Sequence, residues 1–431
     1  MARYLYSVFF YLITPLILLR LAYRASKAPA YGQRIAERFG FFIAPKLNNT
    51  IWVHSVSVGE TIAAAPLIKR LQQQYPDAAI VVTTMTPTGS DRVKALLGDS
   101  VFHVYAPYDL PGAIQRFLTR VQPKLLVIME TELWPNTIHY CRQSSIPVVL
   151  ANARLSEKSA AGYQRLSWLT GPMLNNLSKV VAQNKADADR FLALGLAENK
   201  VEVSGSIKFD VVIDKALIAK AEPLKQQWSN HGQRLIIMAA STHQGEDEII
   251  LDAFKQVIEK ISDTLLIIVP RHPERFDQVV NLCEQRFSVA RRSNNDTVSA
   301  ATNVLVGDTM GELLLLCGCA DMVFVGGSLI NSGGHNMLEP AAWSLPIITG
   351  ESDFNFAEAS RLLQQRSALL MVSDANLLAE KLLLLGQSES LRNEMGANAK
   401  AVVEENRGAL DRLILEIEKN RHSREGGNPA L

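Results

Sequence analysis

Short runs of consecutive apolar residues, rich in valine, isoleucine and leucine, recur along most of the chain and alternate with stretches of helical periodicity. Apolar runs of this kind, without polar alternation, are typical of parallel strands covered on both faces. The strand, helix, strand alternation therefore predicts a doubly wound α/β domain, in which ligands bind beyond the carboxyl ends of the strands. The strands predicted in the first half are 51–56, 79–85, 101–107, 124–131, 146–153 and 179–184.

The alternation restarts after residues 201–233, a segment that fits the pattern less well. The chain has 431 residues, enough for two or three domains of roughly 100 to 200 residues each. We therefore expect two Rossmann-like domains, 25–205 and 206–420, with a disordered tail at 421–431. The active site is expected in the cleft between the two domains. The strands predicted in the second half are 234–241, 264–272, 302–309, 321–328, 345–350 and 367–373.

The first 24 residues are predicted to form a membrane anchor. Residues 4–19 are uncharged and mostly apolar, slightly fewer than the ~20 residues that cross a bilayer as a helix. Residues 1–47 carry seven basic residues and one acidic residue, and positive charge beside an apolar segment keeps the following domain in the cytoplasm. We expect attachment to inner-membrane lipids, with the catalytic domains on the cytoplasmic side. A helix lying in the membrane interface and a buried helix of the first domain remain alternatives.

Charge and cysteine content exclude several other classes of protein. The net charge of +1 argues against a nucleic-acid partner, and 48% hydrophobic residues argue against a disordered chain. The four cysteines are too few for a disulfide scaffold, and the Cys317-Gly-Cys319 pair favours packing in the core over metal or redox chemistry. Because no metal-binding motif is present, neither a metal nor a cofactor is expected.

Three acidic residues and one lysine in the first half are candidates for catalysis. Glu60 follows a strand and opens a helix, where the helix dipole favours a charged carboxylate that can accept a proton from a hydroxyl group. Glu130 and Glu132 end a very apolar strand and face the same way if the strand persists that far. Lys208 lies in the interdomain segment and can meet an anionic ligand. The alternatives are an ordinary glutamate at a helix start, a helix cap and a solvated lysine.

Three loops in the second half are suited to binding a phosphate. Arg271 and His272 follow a strand and precede a proline that starts a helix, which combines a guanidinium with a helix N-terminus. Gly311 lets backbone N–H groups approach an anion in a similar turn. Residues 325–340 contain four glycines within nine residues, which suggests close approach of the backbone to a ligand, and Glu339 is suited to accept hydrogen bonds from ribose hydroxyls.

Together these segments closely resemble the 3-deoxy-D-manno-octulosonic acid (Kdo) transferase family of lipopolysaccharide assembly, over residues 1 to about 410. The resemblance implies the glycosyltransferase B fold, CMP-Kdo as donor and a lipid A precursor, lipid IVA, as acceptor in an inverting, metal-independent transfer. The motifs that carry it are SKAPAYGQR, HSVSVGE, TTMTPTGSDR, YAPYDLP, METELWPN, NARLSEKSAAGY, GSIKFD, PRHPERF, GDTMGEL and GGSLINSGGHNMLEPAA.

The resemblance also implies roles for individual residues. Glu60 matches the general base, and Glu130 and Lys208 match residues that stabilise the transition state. The first domain then binds the acceptor and the second binds the CMP-sugar. Another nucleotide-sugar enzyme of the same fold, such as a UDP-sugar 2-epimerase, and a non-catalytic membrane-anchored nucleotide-sugar-binding protein are the alternatives. The expected CMP-binding residues are Pro270, Arg271, His272, Met310, Gly311, Glu312, Asn336, Met337, Leu338 and Glu339.

Overall fold

The structure, a computed structural model, describes residues 1–422. The chain forms two compact units, of which the second is the continuous segment Phe209–Asn406. The first unit consists of Met1–Lys208 together with the chain from Arg407 onward. Most of the tail expected to be disordered lies outside the described residues, and its first two residues belong to the last helix.

The first unit is built on a parallel sheet of seven strands. Its strands are β1 (Ile51–His54), β2 (Ile80–Thr84), β3 (Phe102–Tyr105), β4 (Leu125–Met129), β5 (Val148–Ala153), β6 (Lys179–Ala182) and β7 (Val201–Val203). They are arranged in the order β3-β2-β1-β4-β5-β6-β7, and every pair is parallel. The α-helices are α1 (Ala2–Lys27), α2 (Val58–Gln74), α3 (Pro87–Leu97), α4 (Pro111–Val121), α5 (Pro135–Gln143), α6 (Glu157–Arg165), α7 (Ser167–Asn175) and α8 (Lys185–Ala193). Short 3-10 helices span Pro29–Gly32, Ile35–Phe39, Gly98–Ser100, Glu198–Lys200 and Ile207–Phe209.

The second unit contains another parallel sheet of seven strands. Its strands are β8 (Leu235–Thr242), β9 (Thr264–Pro270), β10 (Val289–Arg291), β11 (Val304–Val306), β12 (Met322–Val325), β13 (Ile347–Thr349) and β14 (Leu369–Met371). Their order is β10-β11-β9-β8-β12-β13-β14. The helices are α9 (Lys215–Trp228), α10 (Asp247–Ile258), α11 (Phe276–Glu284), α12 (Leu313–Cys317), α13 (Leu338–Ala342), α14 (Ala357–Gln365), α15 (Ala375–Gln387) and α16 (Glu389–Glu405), with a 3-10 helix at Pro273–Arg275.

All twelve strands expected from apolar runs are present, and the residues of β1, β2, β4, β5 and β9 are buried throughout. Each sheet separates two buried apolar clusters, as expected for a sheet with helices on both sides. The predicted runs include neither β7 nor β10, two edge strands of three residues each with few buried positions. Such a strand lacks the apolar pattern that marks the central ones.

The last helix, α17 (Ala409–His422), returns to the first unit. It packs against α2, β5 and β6, and its apolar residues Leu413 and Ile417 are completely buried there. The Arg412 side chain also donates a hydrogen bond of 2.7 Å to the Ser204 carbonyl. Residues 206–420 were expected to form one domain. The chain instead leaves the first unit after Lys208 and returns to it at Arg407. No local sequence signal marks this return, because the partners of α17 lie more than 200 residues earlier in the chain.

Helix α1 is long and apolar enough to cross a membrane by length and composition. It also packs on the first unit along one stripe, in which Ser7 and Leu21 are buried. The Arg3 guanidinium and the Ser7 hydroxyl both donate hydrogen bonds to the Asn136 side-chain oxygen, at 2.9 and 3.1 Å. The Phe10 ring meets the Trp134 ring edge to face, with 6.3 Å between centroids. The helix is therefore a packed element of the first unit with an exposed apolar face.

Candidate active site

Glu60 lies in the first turn of α2, directly after β1. Ser57 is the N-cap of this helix, and its hydroxyl accepts a hydrogen bond from the Glu60 N–H. The Glu60 carboxylate in turn accepts hydrogen bonds from the Val56 N–H, at 2.8 Å, and from the Ser57 hydroxyl, at 2.9 Å. The Ser57 side chain therefore caps the helix, while the Glu60 carboxylate reaches back to the N–H of Val56, the residue before the N-cap, so Glu60 opens the helix as expected. Gly59 is a helical residue without a positive φ, and the turn therefore does not depend on it.

The environment of Glu60 shifts the pKa of its carboxyl toward neutral pH. Burial raises the pKa of the Glu60 carboxyl from 4.5 to about 7, although the two hydrogen bonds lower it. The nearby charges of Glu130 and Glu132 raise it further. These three carboxylates are therefore brought together by the fold. A carboxylate with a pKa near neutral pH is well matched to general base catalysis.

Strand β4 ends at Met129, so Glu130 and Glu132 lie beyond the strand and its alternation does not decide which way they face. Glu130 has a left-handed backbone with φ of 57°, and its N–H donates to the Ala151 carbonyl at 2.9 Å. Burial raises the pKa of Glu132, whose carboxylate accepts a hydrogen bond from the Trp134 side chain. Helix α5 has no side-chain cap from its N-cap residue Trp134, and Asp109 instead accepts hydrogen bonds from its first N–H groups.

Lys208 lies in the 3-10 helix Ile207–Phe209, the last turn of the first unit before the chain enters the second. This turn is held to β5 by a hydrogen bond of 3.2 Å from the Ile207 N–H to the Asn152 side chain. Asn152 itself has a left-handed backbone, with φ of 52°, at the carboxyl end of the sheet. Lys208 is half-buried, and its backbone lies at this same edge of the sheet, next to Ile207.

In the second unit, the expected donor residues follow strands that are neighbours in the sheet. Arg271 and His272 come directly after β9, and residues 310–312 follow β11, the next strand. The Arg271 N–H donates to the Thr242 carbonyl at 3.0 Å, which fixes the start of the loop. Arg271 is also close enough to Glu339 to lower the pKa of that carboxyl, which burial raises. The fold thus places Arg271 near the end of the glycine-rich segment.

The glycine-rich segment after β12 encloses a carboxylate of the protein itself. Glu246 is completely buried, and its oxygens accept hydrogen bonds from the N–H groups of Gly327, Ser328 and Leu329, at 2.7 to 2.9 Å. A side chain at Gly326 would meet this carboxylate at 3.0 Å. The first two glycines therefore allow close approach to Glu246. The expectation that the backbone approaches a ligand stays a prediction for the rest of the loop.

The remaining part of the segment, from His335 to Glu339, can still meet a ligand. The Asn336 amide donates to the Glu339 carboxylate at 2.9 Å, and the Asn336 oxygen accepts the Leu338 N–H at 3.0 Å. Met337 and Leu338 are buried in the core. Among the other expected residues, Pro270 is buried at the end of β9 and Met310 is exposed.

Glu312 is held in place by an ion pair. The Arg292 guanidinium donates two hydrogen bonds to its carboxylate, at 2.9 and 3.1 Å, and holds the pKa of Glu312 below its ordinary value. The Thr309 hydroxyl donates to the same carboxylate. Gly311 has φ of 85°, and a side chain there would meet nothing within 4 Å. Its positive φ explains the glycine, and the space over it leaves the backbone open to a ligand.

Sequence reasoning missed a histidine pair beside Arg271. His243 and His335 stack with 4.9 Å between ring centroids, and their Nε2 atoms are 2.7 Å apart. Burial lowers the pKa of His335 to about 3 and also lowers that of His243, so both rings are neutral at pH 7. One Nε2 then donates and the other accepts. The His272 ring lies 5.2 Å from the His243 ring, so three loops meet here. No local sequence signal could indicate this pair, because His243 and His335 are 92 residues apart in the chain.

Comparison with known proteins identifies the family. A family model described as 3-Deoxy-D-manno-octulosonic-acid transferase (kdotransferase) matches residues 33–211. The 3-deoxy-D-manno-octulosonic acid transferase of Haemophilus influenzae is 45% identical over 418 residues, which cover 96% of this chain and 97% of that protein. The chain belongs to the Kdo transferase family. The 3-deoxy-D-manno-octulosonic acid transferase of Bordetella pertussis is 32% identical over an alignment that covers 97% of this chain and 99% of that protein.

The expectation of a Kdo transferase, a glycosyltransferase of lipopolysaccharide biosynthesis, is thus confirmed. Among solved structures, the UDP-GlcNAc 2-epimerase of Neisseria meningitidis is similar with a TM-score of 0.55, covering 86% of this chain and 99% of that one. The two share 15% sequence identity, so this likeness concerns the fold alone. The glycosyltransferase B fold expected for a Kdo transferase is confirmed, and the epimerase alternative has only the fold in its favour.

The cysteines of this Kdo transferase are packing residues, as the sequence analysis favoured. Cys317 and Cys319 are completely buried in the core of the second unit. Burial raises the pKa of both thiols, that of Cys319 to about 12. Thiols this difficult to ionise are unreactive.

Proposed function

We propose that this chain transfers Kdo from CMP-Kdo to a lipid A precursor, lipid IVA, with Glu60 as the general base. The buried Glu60 carboxylate, with its pKa raised to about 7, is the observation that carries this proposal. A base of this strength is mostly ionised at pH 8 and still binds a proton well when it receives one. Its two hydrogen bonds fix the direction of the carboxylate.

The transfer is a single displacement with inversion at the anomeric carbon of Kdo. An acceptor hydroxyl gives its proton to Glu60 while its oxygen forms a bond to the anomeric carbon. The bond from that carbon to the phosphate oxygen breaks, and CMP leaves with the electron pair. Positive charge develops on the sugar and negative charge on the phosphate, and we assign Glu130 and Lys208 to stabilising this transition state.

Residues of the second unit bind the CMP part of the donor. Arg271 offers a guanidinium for the phosphate, and His272 lies beside it after the same strand. Asn336 and Glu339, joined by a hydrogen bond, offer polar atoms to the ribose hydroxyls. The remaining contacts are made by the backbone of buried Met337 and Leu338, by Pro270, and by the turn of Met310, Gly311 and Glu312.

A metal ion is unnecessary in this account because the leaving group is a monophosphate. One arginine and one lysine can balance the charge that develops on it. No cofactor takes part. The partners are therefore CMP-Kdo, the lipid A precursor and membrane lipids, without nucleic acid.

We further propose that the protein is attached to the inner membrane with its catalytic units in the cytoplasm. The exposed apolar face of α1 includes Leu5, Leu12 and Leu16, each more than half exposed. Basic residues cluster near this helix in the first 47 residues. Each basic residue near an anionic membrane surface contributes about 1 kcal/mol to the free energy of binding.

The test is a mass-shift assay with CMP-Kdo generated in place and a tetraacylated disaccharide acceptor. The parent protein is expected to add Kdo to the acceptor, and Glu60→Gln is expected to reduce turnover by about 10² to 10⁴. Glu157→Gln, at an exposed helix start of the same unit, is the matched control and should retain parental turnover. Parental turnover in a folded Glu60→Gln variant would remove the general-base assignment. A parent protein that transfers no Kdo would refute the proposed reaction.

A further inference from the structure

An apolar cavity of about 180 Å³ lies within the first unit, on one face of its sheet. Trp52 of β1 and Ile128 of β4 form its floor, and both point to the same face because strand side chains alternate. Phe10 and Ile17, two turns apart on α1, form the opposite wall. The cavity therefore exists because α1 packs over the sheet without filling the space beneath it.

The helix that closes this cavity is held in place by polar contacts. Arg3 and Ser7 donate hydrogen bonds to Asn136, and the Asn136 amide donates to the Asp109 carbonyl at 2.7 Å. Asn136 is completely buried. These contacts fix the first turns of α1 relative to the sheet, so the cavity wall has a defined position.

The same helix exposes apolar side chains on its other side. Leu16, the neighbour of Ile17, is 65% exposed, and Leu12 is 72% exposed. Helix α1 is therefore apolar on both sides, with one side forming the cavity wall and the other side exposed. Apolar surface of this extent on one helix fits contact with lipid.

One end of the cavity reaches the candidate catalytic carboxylates. Glu132 lines the cavity, and its charge contributes to the raised pKa of Glu60. The cavity therefore has an apolar interior and an anionic margin next to the proposed base. A ligand matched to it has a hydrocarbon part inside and a hydroxyl-bearing part near Glu60 and Glu132.

We propose that this cavity binds part of one acyl chain of the glycolipid acceptor. The proposal rests on the proposed function, since a lipid A precursor carries acyl chains on the same disaccharide that receives Kdo. Most of the lining surface of this cavity is apolar, and burying a hydrocarbon chain against such surface is favourable. Helix α1 then serves the reaction as well as membrane attachment, because it forms a wall of the acyl-chain site.

The direct test uses 9,10-dibromostearate, whose bromine atoms quench tryptophan fluorescence on contact. Trp52 and Trp134 line the cavity, while Trp228 is buried in the second unit. The exposed Trp168 and the half-buried Trp343 are first replaced, as Trp168→Phe and Trp343→Phe, so that quenching at the protein surface does not contribute. Saturable quenching in this background is expected. Its absence would overturn the proposal.

Two variants that reduce the cavity volume, and one control, give the second arm. Ala106→Leu and Ile17→Phe add side-chain volume at lining positions on different elements. Leu16→Phe adds similar bulk on the outer side of the same helix. Both filled variants are expected to weaken dibromostearate binding at least tenfold, and the control is expected to bind as the parent does. Unchanged binding in both folded filled variants would overturn the proposal.

Turnover separates this proposal from the proposed function. The filled variants should raise the KM for the tetraacylated acceptor about tenfold with kcat unchanged, and should leave turnover of the fully deacylated disaccharide as in the parent. Equal effects on both acceptors would contradict acyl-chain binding. If the parent transfers Kdo to neither acceptor, the proposed function fails, while the quenching experiment still decides whether the cavity binds a chain.

Discussion

Replacing Glu60 with glutamine is expected to stabilise the protein at high pH while it removes activity. Burial raises the pKa of this carboxyl from 4.5 to about 7. The difference of about 2.5 pKa units, at about 1.4 kcal/mol each, corresponds to about 3 kcal/mol. A glutamine keeps the geometry, since its oxygen can accept the Val56 N–H and its amide can donate to the Ser57 hydroxyl. We therefore expect a gain of about 1 to 3 kcal/mol in the free energy of unfolding at pH 8.5.

The direction of this effect depends on pH. Below pH 4.5 the carboxyl is neutral in both states and its raised pKa has no effect on stability. Between pH 4.5 and about 7 the unfolded state ionises first, so the parent loses stability as pH rises, and above pH 7 the loss is constant. Glutamine cannot ionise, so the gain in free energy of unfolding of Glu60→Gln over the parent should be large at pH 8.5 and mostly absent at pH 5.

The assay is urea unfolding of Glu60→Gln and parent at pH 5 and pH 8.5, followed by tryptophan fluorescence. Trp52 is in the same unit as Glu60 and reports its unfolding. The exposed Glu157→Gln serves as control and should change stability by less than about 0.5 kcal/mol at either pH. A Glu60→Gln variant less stable than the parent at pH 8.5, or equally stabilised at both values, would refute the burial argument.

Three other outcomes are expected. The kcat/KM for Kdo transfer should fall about tenfold per pH unit below pH 7, as Glu60 takes up a proton, and a flat profile from pH 5 to 8 would exclude Glu60 as the base. Transfer should survive EDTA, and activity restored only by added Mg²⁺ would contradict our account of the leaving group. Asn136→Ala should lower the free energy of unfolding by about 1 to 3 kcal/mol because it removes the buried acceptor of Arg3 and Ser7, whereas Asn199→Ala should have little effect in the same denaturation assay.

The sequence predicted the central architecture because parallel strands buried on both faces have a direct local signature. The apolar runs at β1, β4 and β9 are long enough to be seen without knowledge of their neighbours. The exact end of β4 was not predictable, since no residue type typical of a left-handed backbone stands at position 130, where Glu130 has a positive φ. The short edge strand β10 has too few buried residues to be recognised.

For the candidate site, the sequence indicated which loops carry polar groups but not what those groups contact. Glu60 and Arg271 lie at strand ends, as expected. The sequence did not indicate what the backbone of Gly326 and Gly327 approaches, because that group, Glu246, lies about 80 residues earlier. The pairing of His243 with His335 likewise depends on tertiary structure alone.

The return of α17 to the first unit has a consequence for synthesis on the ribosome. When residues 1–208 have emerged, the sheet beside α2 still lacks the helix that buries its outer apolar surface. The second unit, by contrast, is complete once residue 406 has emerged. The unit whose synthesis begins first is therefore completed after the second unit, and its apolar surface stays exposed until residues 409–422 have been translated. A premature stop codon after residue 406 would spare the second unit and leave the first one incomplete.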